Sequence, residues 1–204
     1  MFRKALERVL ELPAVYDLNQ LIGQPTVRRY TQLITEELAL TPETSVLDLG
    51  CGTGATRRSI PARYSGIDIN SDYVAAAKRA HADGEFIHMD ATRLAFAPAS
   101  FDEVISVATT HHLDDDQLGA MTREALRVVR AQGAFHIVDA ILPLDPRHRA
   151  KEAFFKMDRG RFARRLEQLV GVVSRTATVE RKRVLTGPLH DVAYLKVVPT
   201  APIA

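Results

Sequence analysis

The sequence has little that could crosslink the chain or anchor it in a membrane. Its 204 residues contain one cysteine, Cys51, and no tryptophan. No internal disulfide can form, so we expect a reducing compartment and a cytoplasmic location. No apolar run is long enough to span a bilayer, and the charged first residues lack the small-residue cleavage site of a secretory signal. With 46% hydrophobic and 25% charged residues, the composition predicts one globular domain.

The charges are unevenly distributed along the chain. The formal net charge is +2, yet residues 141–183 carry twelve basic and five acidic side chains, whereas residues 41–140 carry nine basic and fourteen acidic ones. A basic segment beside an acidic body indicates an anionic small molecule, a membrane surface or a nucleic acid as partner, or simply a solvated helix face. Few aromatic residues interrupt the basic segment. We therefore expect no nucleic-acid partner, while peripheral membrane contact stays open.

From residue 45 onward, short β-branched runs alternate with helical stretches. This alternation predicts a parallel sheet with helices on both faces. The last two runs are joined by a short turn and must therefore be antiparallel. The predicted strands are Ser45–Leu49, Tyr64–Ile69, Glu85–His88, Phe101–Ala108, Ala134–Ile141, Thr176–Leu185 and Val192–Val198. The fold class is therefore α/β, with a mostly parallel seven-stranded sheet that ends in a C-terminal antiparallel hairpin.

The segment VLDLGCGTG, residues 46–54, runs from a strand into three alternating glycines. Glycine lets a ligand approach the backbone, and open α/β sheets bind ligands at the carboxyl ends of their strands. The glycine spacing, with Asp68 further along, also fits a loose dinucleotide fingerprint. This fingerprint leaves a nicotinamide-dependent oxidoreductase as an alternative. Asp48 argues against that alternative, because its carboxylate would repel a pyrophosphate but suits an ammonium group. Only about ten residues separate Gly54 from the next strand, so we expect a shortened first helix.

Five segments resemble, in order, the motifs of class I S-adenosylmethionine-dependent methyltransferases. They are VLDLGCGTG, GIDIN (66–70), HMDATRLAF (88–96), FDEVISVATTHHL (101–113) and REALRVVRAQGAFHIVD (123–139). The nearest subgroup is the ubiquinone/menaquinone-methyltransferase-like set of small-molecule enzymes. The resemblance implies a Rossmann-like fold, S-adenosyl-L-methionine as cofactor and methyl transfer to a small-molecule acceptor. A non-catalytic cofactor-binding protein stays an alternative.

The resemblance also implies which residues hold the cofactor. Asp48 would face the methionine ammonium, Asp68 would accept both ribose hydroxyls, and Asp90 would accept from the adenine amine. Taken singly, each acid could instead begin a turn, cap a helix or end a strand, but their joint spacing favours the cofactor. The full set is Asp48, Gly50, Cys51, Gly52, Gly54, Asp68, Ile69, Asp90, Ala91 and Val107.

Methyl transfer from a sulfonium depends mainly on proximity and orientation. A general base is needed only when the nucleophile carries a proton of high pKa. The candidate catalytic residues, His111 and His112, follow the fourth strand and could deprotonate or orient an acceptor, although both could instead be positional. Adjacent histidines and a single cysteine do not suit a zinc site, so we expect no metal.

The acceptor site is expected to come from segments outside the cofactor core. We divide the single domain, 1–204, into an N-terminal helical lid (1–40), a cofactor-binding core (41–140), a basic helical substrate segment (141–173) and a closing hairpin (174–204). We expect the lid and the basic segment to close over the pocket, and the arginines to favour an anionic or lipid-like acceptor. The candidate substrate residues are Tyr16, Thr109, Arg159 and Arg164.

Overall fold

The computed structural model describes residues 24–145, 161–187 and 191–200. These residues contain a seven-stranded sheet and four α-helices. The strands are β1 (Ser45–Leu49), β2 (Arg63–Asp68), β3 (Glu85–His88), β4 (Glu103–Val107), β5 (Phe135–Ile141), β6 (Thr178–Leu185) and β7 (Asp191–Val198). The helices are α1 (Gln24–Glu37), α2 (Ser71–Ala80), α3 (Asp115–Val128) and α4 (Leu166–Val173). The predicted α/β, Rossmann-like fold is confirmed, with each strand end within two residues of its expected place.

The order of strands in the sheet is β3-β2-β1-β4-β5-β7-β6. Strands β1 to β5 pair in parallel, and β7 lies antiparallel to both β5 and β6. The chain moves outward from β1 to β3 and then returns to the other side of β1 as β4. The carboxyl ends of β1 and β4 therefore flank the crevice in which open α/β sheets bind their ligands.

Helices cover both faces of the sheet. On one face, α1 and α2 contribute Leu33, Ile34 and Ala77 to a buried cluster. On the other face, α3 and α4 contribute Leu118 and Val172 to a second cluster. All seven residues of β5 are buried, as expected for a parallel strand covered on both sides.

The described part of the expected N-terminal lid is a core element. Leu33 and Ile34 on α1 are 0% and 1% exposed, and fully burying each such side chain stabilises the fold by roughly 1.5–3 kcal/mol. Glu37 at the end of α1 pairs with Arg181 and Arg183 on the edge strand β6. This packing opposes movement of residues 24–37 as a lid. Residues 1–23, with Tyr16, lie outside the described residues.

The connections agree with the local sequence signals. A short 3₁₀ helix, Ala55–Ser59, stands where the shortened first helix was expected. Helix α3 begins with a capping box, in which the Asp114 side chain accepts from the Gln117 amide at 2.8 Å and the Gln117 side chain accepts from the Asp114 amide at 3.0 Å. None of the four described helices combines the length and apolar character needed to cross a bilayer.

Candidate functional site

The turn after β1 presents bare backbone to the crevice. Gly50, Gly52 and Gly54 have φ angles of +80°, +55° and +84°, a region that residues with side chains rarely adopt. The Gly50 amide donates to the Ile67 carbonyl at 2.9 Å, which joins the turn to β2. A Cβ atom at Gly50 would lie 2.5 Å from Oγ1 of Thr109. The turn is therefore closed on one side by the loop after β4, and glycine is required for that approach.

Asp68, at the end of β2, holds the glycine turn in place. Its Oδ2 accepts from the Gly52 amide at 2.9 Å and its Oδ1 accepts from the Asn70 amide at 2.8 Å. Burial raises the pKa of Asp68, and these two amides partly offset that effect. An ionised carboxylate offers about four lone-pair positions, so both oxygens can accept further bonds. This arrangement fits the predicted bidentate contact with two ribose hydroxyls.

Asp48 lies directly before the turn and is 1% exposed. Its Oδ2 accepts from the Tyr64 hydroxyl at 2.6 Å, whereas its Oδ1 is buried without a hydrogen-bond partner in the described part of the chain. Burial raises the pKa of Asp48 to about 7, opposed by the Tyr64 hydrogen bond. An unsatisfied buried acceptor costs about 1–3 kcal/mol. A cationic ligand group is the chemistry that would satisfy it, and this fits the methionine ammonium.

The residues assigned to adenine are more exposed to solvent than Asp48 and Asp68. Ile69 is 70% exposed, the largest value among the large hydrophobic residues that the structure leaves uncovered. An exposed aliphatic side chain at the carboxyl edge suits contact with a flat ligand ring. The Oδ1 atom of Asp90 accepts from both the amide and the hydroxyl of Thr92 at 2.8 Å, so this acid also closes a local turn. Ala91 and Val107 are half-buried.

Cys51 is buried, and this burial raises the pKa of its thiol well above the usual range. Its side chain is therefore suited to packing and not to nucleophilic chemistry. In the ranges that the structure describes, no group of three or more histidine, cysteine, aspartate or glutamate residues is arranged to hold a metal ion.

The loop after β4 contains a short 3₁₀ helix, Thr110–His112, that is tied to Asp139 on β5. Oδ1 of Asp139 lies 2.7 Å from Nδ1 of His111. Its Oδ2 accepts from the His111 amide at 3.1 Å and from the Thr110 hydroxyl. Burial opposes ionisation of Asp139, but the charge of His111 and the hydrogen bonds from His111 and Thr110 hold its pKa below the usual value. His112 is exposed, with its ring centroid 4.1 Å from that of His111.

Asp139 was not among the residues predicted from the sequence. The available signal was its place near the end of the fifth predicted strand, in FHIVD at 135–139, where a parallel strand reaches the ligand-binding edge. The sequence placed His111 and His112 on equal terms. The structure separates them, because the ring of His111 lies against the buried carboxylate whereas that of His112 is at the surface.

Arg164 anchors this loop from the opposite side. Its Nη1 donates to the carbonyls of Thr110 and Phe162 at 3.0 and 3.2 Å. Its Nη2 donates to the Leu113 carbonyl and to Asp115, both at 2.8 Å, and its Nε donates to Asp115 at 3.1 Å. All five N–H donors of the guanidinium are thus engaged within the protein. The structure gives Arg164 a structural role in place of the expected substrate contact, since an acceptor molecule would have to displace these bonds.

Two exposed apolar side chains lie on the segments that leave β5 and return toward the loop after β4. Leu144 is 47% exposed and Phe162 is 38% exposed. The Phe162 amide donates to the His111 carbonyl at 3.0 Å, and the Leu142 amide donates to the Arg164 carbonyl at 2.8 Å. The chain therefore leaves β5 and returns beside the loop after β4. Residues 146–160, with Arg159, lie outside the described residues.

Comparison with known proteins agrees with this geometry. Residues 46–133 match the sequence profile of a family described as "Methyltransferase domain". The chain is 36% identical over 102 residues to a fatty-acid O-methyltransferase of Mycolicibacterium smegmatis, covering 47% of this chain and 36% of that protein. It is 36% identical over 107 residues to a 2-methyl-6-phytyl-1,4-hydroquinone methyltransferase of Synechocystis sp., covering 49% of this chain and 33% of that protein. The match thus spans about a third of each relative.

A solved structure shows the same fold over most of the chain. The geranyl diphosphate C-methyltransferase from Streptomyces coelicolor A3(2), in complex with Mg²⁺, geranyl diphosphate and S-adenosyl-L-homocysteine, superposes with a TM-score of 0.66 at 10% identity, covering 85% of this chain and 79% of that one. At this identity the likeness establishes the fold. The match to the family profile covers both the glycine turn and the loop after β4. Residues 46–133 therefore form a class I S-adenosylmethionine-dependent methyltransferase domain, with S-adenosyl-L-methionine as its cofactor.

Proposed function

We propose that the protein transfers the methyl group of S-adenosylmethionine to an apolar small molecule that bears an oxygen group. The observation that carries this proposal is a pair of exposed apolar side chains on the chain that leaves β5 and returns: Leu144 follows β5, and Phe162 contacts the loop that closes the glycine turn. The names of two relatives support it. A fatty acid and a phytyl hydroquinone are both largely apolar molecules with an oxygen group at one end.

In this proposal the cofactor and the acceptor bind to different parts of the crevice. The glycine turn, Asp48 and Asp68 bind and orient the cofactor, which supplies an activated methyl group when bound. Ile69 packs against the adenine ring. The acceptor enters between the carboxyl ends of β1 and β4, where Thr109 joins the loop after β4 to the turn through its 3.2 Å hydrogen bond to the Gly50 carbonyl. Holding the two reactants in line provides most of the acceleration that such a displacement needs.

The contacts of the arginines near the site support an anionic acceptor less than the basic sequence pattern did. Arg164 is fully engaged with the protein itself, and Nη1 of Arg165 donates to the Pro143 carbonyl at 3.0 Å. Arg161 is exposed, and Arg159 lies outside the described residues. We therefore infer that apolar contact with the body of the acceptor contributes more to recognition than attraction of a negative group.

Methyl transfer from a methyl-labelled donor to matched acceptors tests the proposal. The apolar probes are a long-chain fatty acid and a prenylated hydroquinone. Their polar counterparts are a short-chain acid and an unsubstituted hydroquinone, respectively. Burying a methylene contributes about 0.8 kcal/mol, so a chain with four more buried methylenes should lower KM on the order of 100-fold. The expected result is labelled product from an apolar probe and a much higher KM for its polar counterpart.

Variants of the two exposed apolar residues, Leu144 and Phe162, provide the matched comparison. Leu144→Ser and Phe162→Ser should raise KM for the apolar probe, whereas Val179→Ser, on the edge strand β6, should leave KM unchanged. A protein that binds S-adenosylhomocysteine but methylates no probe, or one that treats apolar and polar probes alike, would contradict the proposal.

A further inference from the structure

A buried tyrosine reaches the acid that precedes the glycine turn. Tyr64 on β2 is 3% exposed, and its register partner on β1 is Val46, two residues before Asp48. The ring must therefore extend along the sheet before its hydroxyl can donate to Oδ2 of Asp48 at 2.6 Å. In the ranges that the structure describes, Oδ1 of Asp48 is buried without a hydrogen-bond partner. Tyr64 thus holds one oxygen of the carboxylate and leaves the other for a ligand.

Gly66 provides the space that this contact needs. It is the register partner of Asp48, and it lies two residues after Tyr64, on the same face of β2. A Cβ atom at this position would lie 3.0 Å from Cε1 of Tyr64 and 2.9 Å from Sγ of Cys51. A side chain here would press on the ring and on the glycine turn. Glycine is therefore required at position 66 for the phenol to reach Asp48.

A cation and a second aromatic ring hold the tyrosine ring in place. Cζ of Arg57 lies 5.7 Å from the ring centroid of Tyr64, within the range of a cation–π contact. Arg57 is itself fixed by a 2.8 Å ion pair between its Nη2 and Asp83. The ring centroid of Phe86 also lies 5.7 Å from that of Tyr64. This packing keeps the hydroxyl of Tyr64 directed at Asp48.

We propose that Tyr64 is a positioning residue for the methyl donor: its hydroxyl fixes the Asp48 carboxylate so that Oδ1 accepts from the ammonium of S-adenosylmethionine. This inference concerns the cofactor half of the site and is independent of the acceptor proposed above. The two oxygens of Asp48 then have different partners, and they cannot exchange by rotation of the carboxylate without breaking the bond to Tyr64. Tyr64 is buried, so it acts on the ligand through Asp48.

The same hydrogen bond favours the ionised form of Asp48. Burial raises the pKa of Tyr64 well above its usual value, so the phenol keeps its proton and remains a donor. A donated hydrogen bond stabilises a carboxylate more than a neutral carboxyl group. Burial raises the pKa of Asp48 to about 7, the Tyr64 hydrogen bond opposes this shift, and the charge of Asp68 adds to it. Without the hydroxyl, Asp48 would be mostly neutral at pH 7 and would attract the ammonium less.

Among the described residues, three other titratable groups act on this pair. Asp68, at the end of β2, acts on Asp48, and Arg57 acts on the Tyr64 phenol from the short 3₁₀ helix. Burial and the charges of both carboxylates raise the pKa of the Cys51 thiol, so it stays neutral inside the turn. On the other side of β1, strand β4 places an isoleucine beside Asp48. Removal of the Tyr64 hydroxyl should therefore move the titration of Asp48 without changing any charge.

Carbon NMR of the aspartate carboxyl groups tests the positioning role in the cofactor-free protein. The Asp48 signal, assigned by its loss in Asp48→Asn, should titrate in the wild type with a pKa of about 7. Two or three donated hydrogen bonds can lower a carboxyl pKa by about two units, so Tyr64→Phe should raise the pKa of Asp48 by about one unit. The matched control is Tyr194→Phe, since Tyr194 is also buried and its hydroxyl lies 2.9 Å from Nδ1 of His136. This control should leave the titration of Asp48 unchanged.

Calorimetric titration with S-adenosylhomocysteine, which carries the same ammonium, tests the effect on the donor site. If the pKa of Asp48 rises from about 7 to about 8, its ionised fraction falls about ninefold at pH 6, about fivefold at pH 7 and about twofold at pH 8. The affinity of Tyr64→Phe should fall by similar factors, whereas that of Tyr194→Phe should stay within about twofold of wild type. A general loss of packing would instead lower the affinity by the same factor at all three pH values.

A double variant shows whether Tyr64 acts through Asp48. Changes to two residues in one hydrogen-bonded pair are not additive when one acts through the other. In the Asp48→Asn background there is no carboxylate to position, so adding Tyr64→Phe should change the affinity for S-adenosylhomocysteine by less than about twofold at every pH.

The outcomes decide the proposal without any methyl acceptor. An Asp48 titration that is the same in Tyr64→Phe and in wild type overturns it, as does an affinity loss that is independent of pH or that persists in full in the Asp48→Asn background. The wild type gives a further test if Tyr64→Phe does not fold. Addition of S-adenosylhomocysteine should keep Asp48 ionised to lower pH, and an unchanged Asp48 signal overturns its contact with the ammonium. Failure of the proposed acceptor class leaves all of these results unaffected.

Discussion

The Tyr64 hydroxyl donates a 2.6 Å hydrogen bond to Oδ2 of Asp48 directly beneath the glycine turn. Both side chains are buried, and the other oxygen of Asp48 has no partner among the described residues. Burial raises the pKa of Asp48 to about 7, although the Tyr64 hydrogen bond opposes the shift. Near neutral pH, Asp48 is therefore close to the midpoint of its titration, and both cofactor binding and stability should depend on its protonation.

Cofactor affinity should rise as Asp48 ionises, because only the carboxylate attracts the ligand ammonium. With a pKa of about 7, the ionised fraction increases about fivefold between pH 6 and pH 7, a range in which an α-amino group, with a pKa near 7.7–8.0, stays protonated. Calorimetric titration with S-adenosylhomocysteine should show an affinity gain of similar size. The isosteric variant Asp48→Asn should bind more weakly and lose this pH dependence. Equal slopes for the two proteins would show that another group is responsible.

The stability of the cofactor-free protein should fall as the pH rises and Asp48 ionises, whereas cofactor affinity rises. The folded-state pKa of Asp48 lies above the usual aspartate value of 3.8, so the stability that this residue contributes is fully present below about pH 4 and is lost as the pH rises through about 7. Asp48→Asn keeps an acceptor for Tyr64 and removes the buried charge. Urea unfolding should therefore show the variant to be more stable than wild type at pH 8, by the order of 1–3 kcal/mol. At pH 4 the difference should vanish, and a constant difference across this range would contradict the assignment.

Much of the site could be predicted from the sequence because its signals are local. A run such as Ser45–Leu49 reads as a buried strand from five consecutive residues, and the glycines that follow it allow one kind of turn. Because parallel strands end at the same edge, the acids at 48 and 68 could be placed together without coordinates. The turn, the fold and the order of motifs follow from such short-range patterns.

Contacts between distant residues could not be predicted in this way. The pairing of His111 with Asp139 joins residues 28 positions apart and depends on the register of β4 against β5. The contact of Arg164 with Thr110 spans 54 positions, so its sequence context, a run of arginines, indicated an exposed cationic cluster. The amphipathic pattern of α1 is the same for a lid and for a core helix, and only the burial of Leu33 and Ile34 distinguishes them.

Arg164 should be far more sensitive to conservative replacement than a neighbouring arginine that shares its partner. Arg164→Lys replaces a fork of five donors with one ammonium group and leaves buried carbonyls unpaired. The expected loss of unfolding free energy is about 1–3 kcal/mol, measured by urea denaturation. Arg175 also contacts Asp115, but at 3.4 Å and with a side chain that is 61% exposed. Arg175→Lys should therefore be neutral, and equal losses in both variants would remove the structural role of Arg164.

Hydrogen exchange should show that α1 does not behave as a lid. The helix has Leu33 and Ile34 in the core, and Glu37 pairs with arginines on β6. The amides in the second half of α1 should be strongly protected from exchange without ligand. Addition of S-adenosylhomocysteine should change their protection little. The amides of the glycine turn, residues 50–54, should gain protection under the same conditions and serve as the internal comparison. A large ligand-induced gain in α1 would restore the lid interpretation.

Replacement of Asp68 should weaken cofactor binding more than replacement of any other residue that is predicted to hold the cofactor. Asp68→Ala removes the acceptor for two ribose hydroxyls and also the partner of the Gly52 amide. Leaving such donors unpaired costs about 1–3 kcal/mol, so the affinity for S-adenosylhomocysteine should fall about ten- to a hundredfold by calorimetry. Asp68→Asn keeps one carbonyl oxygen and should lie between wild type and alanine. Asp72→Ala, at an exposed position in the first turn of α2, controls for charge alone and should bind normally. A folded Asp68→Ala protein with wild-type affinity would mean that another acceptor holds the ribose, because no remaining oxygen at this position could do so.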